Sequence, residues 1–397
     1  MRKVVVVDGL RTAFGRMGGG LKTYYTSELL GMAIRGLVEK TGIQERAAVE
    51  GVFAGSAMND AHCNNIARFA TLYAGLPIET PATYVEMQCG SGIASINHAA
   101  LSILNGDIDI AIAGGAESYS QLPCKFSMSV EPYKLIAPHA VPSMLTPVKE
   151  DNITMIQVSD LMARTWNISR LECDEFALRS QERAARSIAA GYYKDRILPV
   201  TTPVKKGDPI VCDKDEQPRA STLEGLSALK PVSPDGVTTA GNASGRNDGA
   251  AVILMMTEEK AAELGYQPLA EWIGGCVTGV DPKLMGIGPA YSNLKLMKRF
   301  GLGIDDVGVY ECNEAFAAQN LSVIREMENQ TGKTINQDNW NPNGGAIAFG
   351  HPNGASGGRI AMFAVDELTR RGGGYGIFSS CCGGGLGVSS LIRSWEK

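Results

Sequence analysis

The chain is poor in histidine and in aromatic residues, and it lacks the C-x-x-C spacing of many metal sites. Its 397 residues include four histidines and nine cysteines, no two of which form a C-x-x-C pair, and the aromatic fraction is 7%. Zinc sites depend on such Cys and His spacings, and an H-E-x-x-H motif is also missing. We therefore expect no metal site. The cysteines are scattered along the chain and odd in number, which is typical of reduced thiols inside a cell.

Long apolar runs and an excess of positive charge are missing too. No apolar run approaches the ~18 residues of a membrane-spanning helix. The N-terminal residues enter a strand-like run without the apolar core of a signal peptide. The formal net charge of −5 argues against nucleic acid as the main partner. These absences predict a cytoplasmic protein with neither a nucleic-acid nor a membrane partner.

Glycine, by contrast, is abundant. The chain contains 47 glycines, whereas the usual frequency is about 7%. The hydrophobic fraction of 44% and the charged fraction of 20% are those of an ordinary globular protein. The composition therefore predicts a folded chain in which tight turns and close backbone approaches are important.

Strand-like and helix-like segments alternate along the chain, which predicts an α/β fold with a largely parallel sheet. In the first third, β-branched runs at 3–8, 49–54, 83–87 and 108–113 alternate with amphipathic segments at 27–40 and 91–105. The last third predicts helices at 289–300, 314–329 and 355–370, and strands at 307–312, 375–380 and 386–393.

An internal repeat relates the two parts of the chain. Segments 89–115 and 351–385 each contain a reactive residue, a Gly/Ser-rich turn, a helix and an apolar strand that ends in glycines. The second copy runs directly into a final strand, but the matching strand of the first copy, at 250–256, arrives much later. We therefore interpret 118–247 as a loop-rich insertion between two adjoining strands. Chance similarity between two α/β segments is the alternative.

Two reactive residues occupy the matching positions of this repeat. Cys89 follows a strand and precedes a helix, where unpaired backbone N–H groups are expected to lower its pKa below ~8.5. His351 occupies the equivalent place, so pseudo-two-fold symmetry brings the two helix starts to one cleft as nucleophile and base. A structural buried cysteine and a lone core histidine are the alternatives. Cys381 and Asn313 end neighbouring strands, although Asn313 is also a plausible helix cap.

These motifs resemble those of the thiolases over the whole chain. The family's C-x-S-G-x-A context matches 89–94, and its N-E-A-F block matches 313–316. Its G-G-A-x-A-x-G-H-P-x-G-A-S-G block matches the segment through His351, and C-x-G-G-G-x-G matches 381–387. The segment 239–251 is similar to the family's pantetheine-binding segment.

The resemblance implies the thiolase fold, in which duplicated βαβαβαββ halves stack as α/β/α/β/α layers with an inserted loop domain. The expected division is an N-terminal half at 1–117 plus 248–270, an inserted loop domain at 118–247, and a C-terminal half at 271–397. A homodimer or homotetramer is also implied.

The resemblance further implies a role for each motif. Cys89 is the nucleophile, His351 assists its deprotonation, and Cys381 is the acid/base for the second substrate. His351 and a water held by Asn313 form one oxyanion hole, and the N–H groups of Cys89 and Gly383 form the other. The residues implied for the acyl group and coenzyme A are Ser244, Ala240, Met155, Met285, Ala315, Phe316, Arg219 and Leu229.

The implied reaction is the reversible Claisen condensation of acetyl-CoA units, with CoA-dependent cleavage of a 3-ketoacyl-CoA as the reverse. Coenzyme A is substrate and product, so no cofactor is expected, and acetoacetyl-CoA is the default substrate. The segment 285–291 is of a kind also seen in longer-chain degradative thiolases of fatty-acid β-oxidation, which are the alternative. The segment 155–160 reads MIQVSD, where the family has M-G-x-T-A-E. A Cys-dependent thioester hydrolase is a more distant possibility.

Overall fold

A computed structural model describes residues 2–58, 60–127, 133–134, 137–204 and 207–395. Its strands are β1 Val4–Thr12, β2 Gly15–Arg16, β3 Gly51–Gly55, β4 Ala82–Val85, β5 Ile110–Ser118, β6 Ile197–Leu198, β7 Val200–Thr202, β8 Ile210–Cys212, β9 Asn247–Thr257, β10 Ala270–Gly279, β11 Val307–Cys312, β12 Tyr375–Cys382 and β13 Leu386–Ser394. Its α-helices are α1 Thr26–Thr41, α2 Ile43–Arg46, α3 Ile66–Tyr73, α4 Ser91–Asn105, α5 Met155–Thr165, α6 Arg170–Ala189, α7 Leu223–Ser227, α8 Glu258–Glu263, α9 Gly288–Phe300, α10 Ala317–Thr331, α11 Ala346–Phe349 and α12 Asn353–Arg370.

The strands form two halves with the same pairing scheme, which confirms the predicted duplication. In the first half, β1 pairs antiparallel with β9, β9 antiparallel with β5, and β5 parallel with β3. In the second half, β10 pairs antiparallel with β13, β13 antiparallel with β12, and β12 parallel with β11. A short antiparallel pairing of β1 with β10 joins the two halves.

Three apolar clusters give the layers of the fold. One lies between the first-half strands and the outer helices α1 and α3, and another between the second-half strands and helices α5, α6, α9 and α10. The third encloses α4 and α12 between the two sets of strands. The helices and sheets therefore alternate as the predicted α/β/α/β/α arrangement, with α4 and α12 as the inner layer.

Glycines let the two inner helices approach very closely. A Cβ atom added at Gly92 would lie 2.4 Å from the carbonyl oxygen of Gly354, and one at Gly357 would lie 2.4 Å from the backbone nitrogen of Ile93. Real Cβ contacts are longer, so only glycine fits at this crossing. The crossing fixes the start of α4 against the start of α12.

The insertion also contains helices that the sequence did not predict. Strands β5 and β9 pair directly, with Ile110 opposite Met256, as the repeat predicted. The chain between them is rich in loops, as expected, but it includes α5 and the 20-residue helix α6. Ser169 is the N-cap of α6: its side chain accepts from the backbone N–H of Glu172, and the Glu172 side chain accepts from the N–H of Ser169, which is a strong helix-start signal.

Strand β10 and helix α3, both outside the insertion, were not predicted either, and the start of one predicted helix moved. Helix α10 begins at Ala317 rather than at 314, because Phe316 is extended and bridges to Ala243. In the described part of the chain, no helix is long and apolar enough to cross a membrane.

Candidate active site

Cys89 lies in a tight turn between β4 and α4. The residue before it, Gln88, has a positive φ of 49°, which is uncommon for a side chain other than glycine. Ser91 braces the turn, since its Oγ accepts from the N–H of Met87 at 2.9 Å and donates to the carbonyl of Gln88 at 2.6 Å. The turn therefore presents the Cys89 thiol at the end of the first-half sheet, in a conformation held by hydrogen bonds.

The pKa expected for Cys89 is wrong for the resting protein. Burial, reinforced by the carboxylate of Glu117, raises the pKa of the Cys89 thiol to about 12. The backbone N–H of Cys89 acts in the opposite direction, but it does not offset these effects on the pKa. Cys89 is therefore a neutral thiol at neutral pH, and a base must remove its proton before it can attack.

His351 has the properties of that base. Burial and the neighbouring Arg359 lower the pKa of His351 to about 3, so the imidazole is neutral at neutral pH. Ser356 donates its hydroxyl to the carbonyl of Pro352 at 3.1 Å, and its Oγ lies 2.6 Å from Nδ1 of His351. The serine oxygen therefore accepts from Nδ1–H, so Nε2 carries the lone pair and is the nitrogen that can take a proton.

Asn313 lies next to that lone pair. Its Nδ2 is 3.3 Å from Nε2 of His351, and its Oδ1 is buried with no hydrogen-bond partner in the described structure. Glu314 beside it accepts from Ser180 at 2.6 Å and Asn341 at 2.8 Å, and also from the N–H of Ile347. The predicted pairing of the Asn313 and His351 motifs is thus present.

Cys381 and Cys382 point to opposite sides of β12, as alternation along a strand requires. Cys381 packs in the cluster that contains Met285 and Ala315, and Cys382 packs between the sheets with Val388. Burial, together with the nearby Cys89 thiol, raises the pKa of Cys381 well above its usual range. Cys381 is therefore a protonated thiol at neutral pH, and it lies close enough to Cys89 for an electrostatic interaction between the two sulfurs.

Gly383 lies against the turn that carries Cys89. A Cβ atom added at Gly383 would be 3.3 Å from Cγ of Gln88, the residue that precedes the cysteine. Cys382 supports the same turn from the other side, since a Cβ at Gly90 would be 2.4 Å from its sulfur. The end of β12 and the start of α4 are therefore in close contact, as both predicted oxyanion N–H groups require.

The residues expected to bind coenzyme A form a continuous strip. The N–H of Ser244 donates to the carbonyl of Ala315 at 3.0 Å, and Ala243 bridges to Phe316. Further out, Arg219 donates to the carbonyl of Ala240 at 3.0 Å. Leu229 adjoins them, because a Cβ at Gly241 would lie 2.6 Å from its Cδ1.

The residues expected around the acyl group share one apolar cluster. Met285 and Ala315 are buried in it, and Met155 and Phe316 are partly buried against it. Cys381 belongs to the same cluster. The structure therefore places the predicted acyl-pocket side chains in the same apolar cluster as one of the two predicted catalytic thiols.

Glu117, at the end of β5, is a site residue that the sequence prediction missed. It is fully buried and accepts from Ser56 Oγ and the N–H of Ala57, both at 2.8 Å, and from the N–H of Gly354 at 3.2 Å. Burial raises the pKa of Glu117 to about 7. Its position as a charged residue at a strand end, after two glycines, is the signal that could have identified it.

Comparisons with known proteins agree over the full length. A family model described as the N-terminal domain of thiolase matches residues 4–259, and one described as the C-terminal domain matches residues 266–394. An acetyl-CoA acetyltransferase of Chromobacterium violaceum is 41% identical over 396 residues, which cover 98% of this chain and 99% of that protein. A beta-ketoadipyl-CoA thiolase of Acinetobacter baylyi is 40% identical, with 99% of this chain and 100% of that protein covered.

Solved structures give the same result. The acetyl-CoA acetyltransferase of Bacillus anthracis matches with a TM-score of 0.92 at 37% identity, covering 100% of this chain and 99% of that one. The human mitochondrial 3-ketoacyl-CoA thiolase matches with a TM-score of 0.91 at 36% identity, covering 99% of both chains. The layered arrangement described above is shared with both.

Proposed function

Because the chain belongs to the thiolase family and is an acyltransferase, we propose that it condenses two acetyl-CoA molecules reversibly to acetoacetyl-CoA. Cys89 carries the acyl group as a thioester. The observation that supports this most is that the Cys89 thiol acts electrostatically on Cys381 and contacts Asn353, two residues after the neutral imidazole of His351. A nucleophile, its base and a second acid/base are the groups that such an exchange requires.

In the first half-reaction, Cys89 attacks the carbonyl carbon of acetyl-CoA. Its proton passes to Nε2 of His351, which is neutral because its pKa is lowered to about 3. The new S–C bond forms as the C–S bond to coenzyme A breaks. Cys381 starts protonated because its pKa is raised, so its S–H can supply the proton that the departing coenzyme A thiolate needs.

In the second half-reaction, Cys381 acts in the opposite sense. Having lost its proton, it can take one from Cα of a second acetyl-CoA. The resulting carbanion attacks the Cys89 thioester, and the C–S bond to Cys89 breaks. His351 then returns its proton to the Cys89 sulfur, so every group ends in its starting state. Thiolysis of acetoacetyl-CoA is the same sequence in reverse.

Both half-reactions place negative charge on a carbonyl oxygen. We assign the N–H groups of Cys89 and Gly383 to the tetrahedral intermediate, supported by the contact of Gly383 with the turn that carries Cys89. We assign His351 and a water held by Asn313 to the enolate, supported by the unpartnered Oδ1 of Asn313. Losing one such donor typically costs about 3–4 kcal/mol of transition-state stabilisation.

The strip of predicted coenzyme A residues supports one direction of binding. The pantetheine arm would run from the exposed group of Arg219, Leu229 and Ala240 past Ser244 towards the cleft. The acyl end would then reach the apolar cluster containing Met155, Met285 and Phe316. Such a lining suits a short, uncharged acyl group, which favours acetoacetyl-CoA over longer 3-ketoacyl-CoA substrates.

Mass spectrometry and a chain-length series test this function. After incubation with acetyl-CoA, a digest should show acetylation at Cys89, and Cys89→Ala should lose it. Thiolysis should be fastest with acetoacetyl-CoA. Efficiency that rises steadily from C4 to C10 substrates would assign the longer-chain alternative instead, and a preference for 3-oxoadipyl-CoA would assign the activity named for the Acinetobacter relative. Release of acetate without coenzyme A as acceptor would indicate a hydrolase.

We also propose that the enzyme is at least a homodimer. Strand β4 pairs with β3 along Val52–Gly55 and lies at the outer end of the sheet order. An unpaired sheet edge favours pairing with a second copy. Light scattering at micromolar concentration should give a multiple of the monomer mass. The expectations of a cytoplasmic location and of no metal or cofactor stay predictions.

A further inference from the structure

We propose that Asn353 is a further catalytic residue, whose side-chain amide stabilises the Cys89 thiolate, and that Tyr119 positions this amide. The proposal rests on the assignment of Cys89 as nucleophile. Nδ2 of Asn353 lies 3.5 Å from Sγ of Cys89, within hydrogen-bonding range for sulfur. The two residues are 264 positions apart in the chain, so the contact joins the two halves of the molecule at the reacting atom.

The orientation of the amide follows from its other partner. The hydroxyl of Tyr119 donates to Oδ1 of Asn353 at 3.0 Å. Burial raises the pKa of Tyr119, so the phenol keeps its proton and remains a donor. An amide whose oxygen accepts from Tyr119 must direct its NH₂ group towards the sulfur. Asn353 is only 5% exposed, so water competes little for this hydrogen bond.

The surroundings of Cys89 give this hydrogen bond a function. Burial and the Glu117 carboxylate both disfavour the charged thiolate form of Cys89. Charge nevertheless appears on Sγ when the thiol is deprotonated before attack, and again when the thioester breaks. A hydrogen bond to a thiolate is stronger than one to a neutral thiol or thioester. The amide therefore stabilises the charged states of both half-reactions more than the resting states between them.

Glu117 fixes the main chain around this amide. The N–H of Gly354, the residue after Asn353, donates to Oε2 of Glu117 at 3.2 Å. The same carboxylate accepts from Ser56 and Ala57 in the first half. The amide is thus held at its backbone by Glu117 and at its side-chain oxygen by Tyr119. These two contacts direct the amide at the Cys89 sulfur. An amide that only stabilised the start of α12 would not need them.

The pH dependence of Cys89 alkylation tests the proposal in the full-length enzyme without substrate. Iodoacetamide modification of Cys89 should be followed by peptide mass spectrometry from pH 7 to 11 for wild type, Asn353→Ala and Tyr119→Phe. We expect Asn353→Ala to react about tenfold more slowly at a given pH below the midpoint, with the profile displaced upwards. Tyr119→Phe keeps the amide but frees its orientation, so we expect a loss of about two- to threefold.

A matched control separates this effect from loss of a helix-start residue. Asn65 accepts from the N–H of Arg68 at the start of α3, away from the cleft. Asn65→Ala should lower stability but leave the alkylation profile of Cys89 unchanged. An Asn353→Ala or Tyr119→Phe profile identical to wild type would overturn the proposal. Should Asn353→Ala fail to fold, Tyr119→Phe alone decides.

The proposed function fails in a different way. If wild-type enzyme treated with acetyl-CoA is not acetylated at Cys89, the nucleophile assignment is wrong. If wild type is acetylated there and the two variants keep the wild-type alkylation profile, only the role of Asn353 is wrong. In the expected case, Asn353→Ala also slows burst-phase acylation about tenfold while the KM for acetyl-CoA changes little, because the amide contacts the sulfur rather than the bound coenzyme.

Discussion

Replacing Gly357 by alanine should separate the two inner helices and so reduce activity far more than stability. The added Cβ would lie 2.4 Å from the backbone nitrogen of Ile93 and 2.6 Å from the carbonyl carbon of Gly92. Ordinary van der Waals contact begins at 3.4 Å, and every atom it meets is backbone. No side chain can rotate away, so α12 must move from α4 by about 1 Å.

The two effects of this movement differ in size. Overpacking a core costs about 1–3 kcal/mol of unfolding free energy, and the better helix propensity of alanine returns up to about 1 kcal/mol. The net cost leaves a folded protein. A misplacement of about 1 Å between catalytic groups costs roughly a hundredfold in rate. Cys89 lies just before α4, and His351 and Asn353 lie at the start of α12. We therefore expect the displacement of these helices to lower kcat about a hundredfold.

Gly36→Ala is the matched control for this prediction. Gly36 is also a buried helical glycine, but its added Cβ would meet only the ends of Leu10 and Leu198, at 2.9 and 3.0 Å. These side chains can adjust, and α1 lies in an outer layer. Acetoacetyl-CoA thiolysis and urea unfolding of both variants provide the comparison. If Gly357→Ala keeps kcat within threefold of Gly36→Ala at equal stability, the helix crossing does not set the catalytic geometry.

The remaining predictions concern the thiols and the imidazole. Cys381→Ala should lose about 10²–10⁴ in condensation rate yet still form acyl-Cys89, whereas Cys382→Ala should stay within a few-fold; equal losses in steady-state assays would contradict their placement. Cys89→Ala should abolish burst-phase release of coenzyme A. The pKa of His351 is lowered to about 3 from 6.5, so at this residue the unfolded chain binds one more proton between these values, and its contribution to stability is lost as pH falls through that window. The raised pKa of Glu117 acts in the opposite sense, so the readout is a difference: from pH 6.5 to 4.5, urea unfolding should show wild type losing up to about 1.4 kcal/mol per pH unit relative to His351→Gln.

The sequence predicted those parts of the molecule that depend on local pattern. The reactive residues lie beside glycine-rich segments, and the duplicated order of elements placed Cys89 and His351 in equivalent positions before α4 and α12. Alternation along a strand was enough to separate Cys381 from Cys382. Helix α3 was also accessible, because Asn65 is a standard helix-start residue, although it was not predicted.

The parts that were not predicted depend on contacts across the chain. Strand β10 contains Gly274 and Gly275, which strands usually avoid, so its composition hides it. The hydrogen bonds of Asn353 join residues more than 200 positions apart. The pKa of Cys89 was wrong for a related reason. A helix start is visible in the sequence, but burial and the approach of Glu117 exist only in the folded molecule.

Helix α12 has a consequence for how the chain folds. Of its 18 residues, 15 are buried, and it touches β5 and β9 of the first half as well as β11 and β12 of the second. A helix with almost no water-facing side is not stable on half of its surroundings. Neither half can therefore complete its core alone, and we expect cooperative unfolding of both together. A chain with only one half folded would expose the apolar surface of α12 and aggregate. The catalytic groups at the starts of α4 and α12 therefore come together only when both halves have folded.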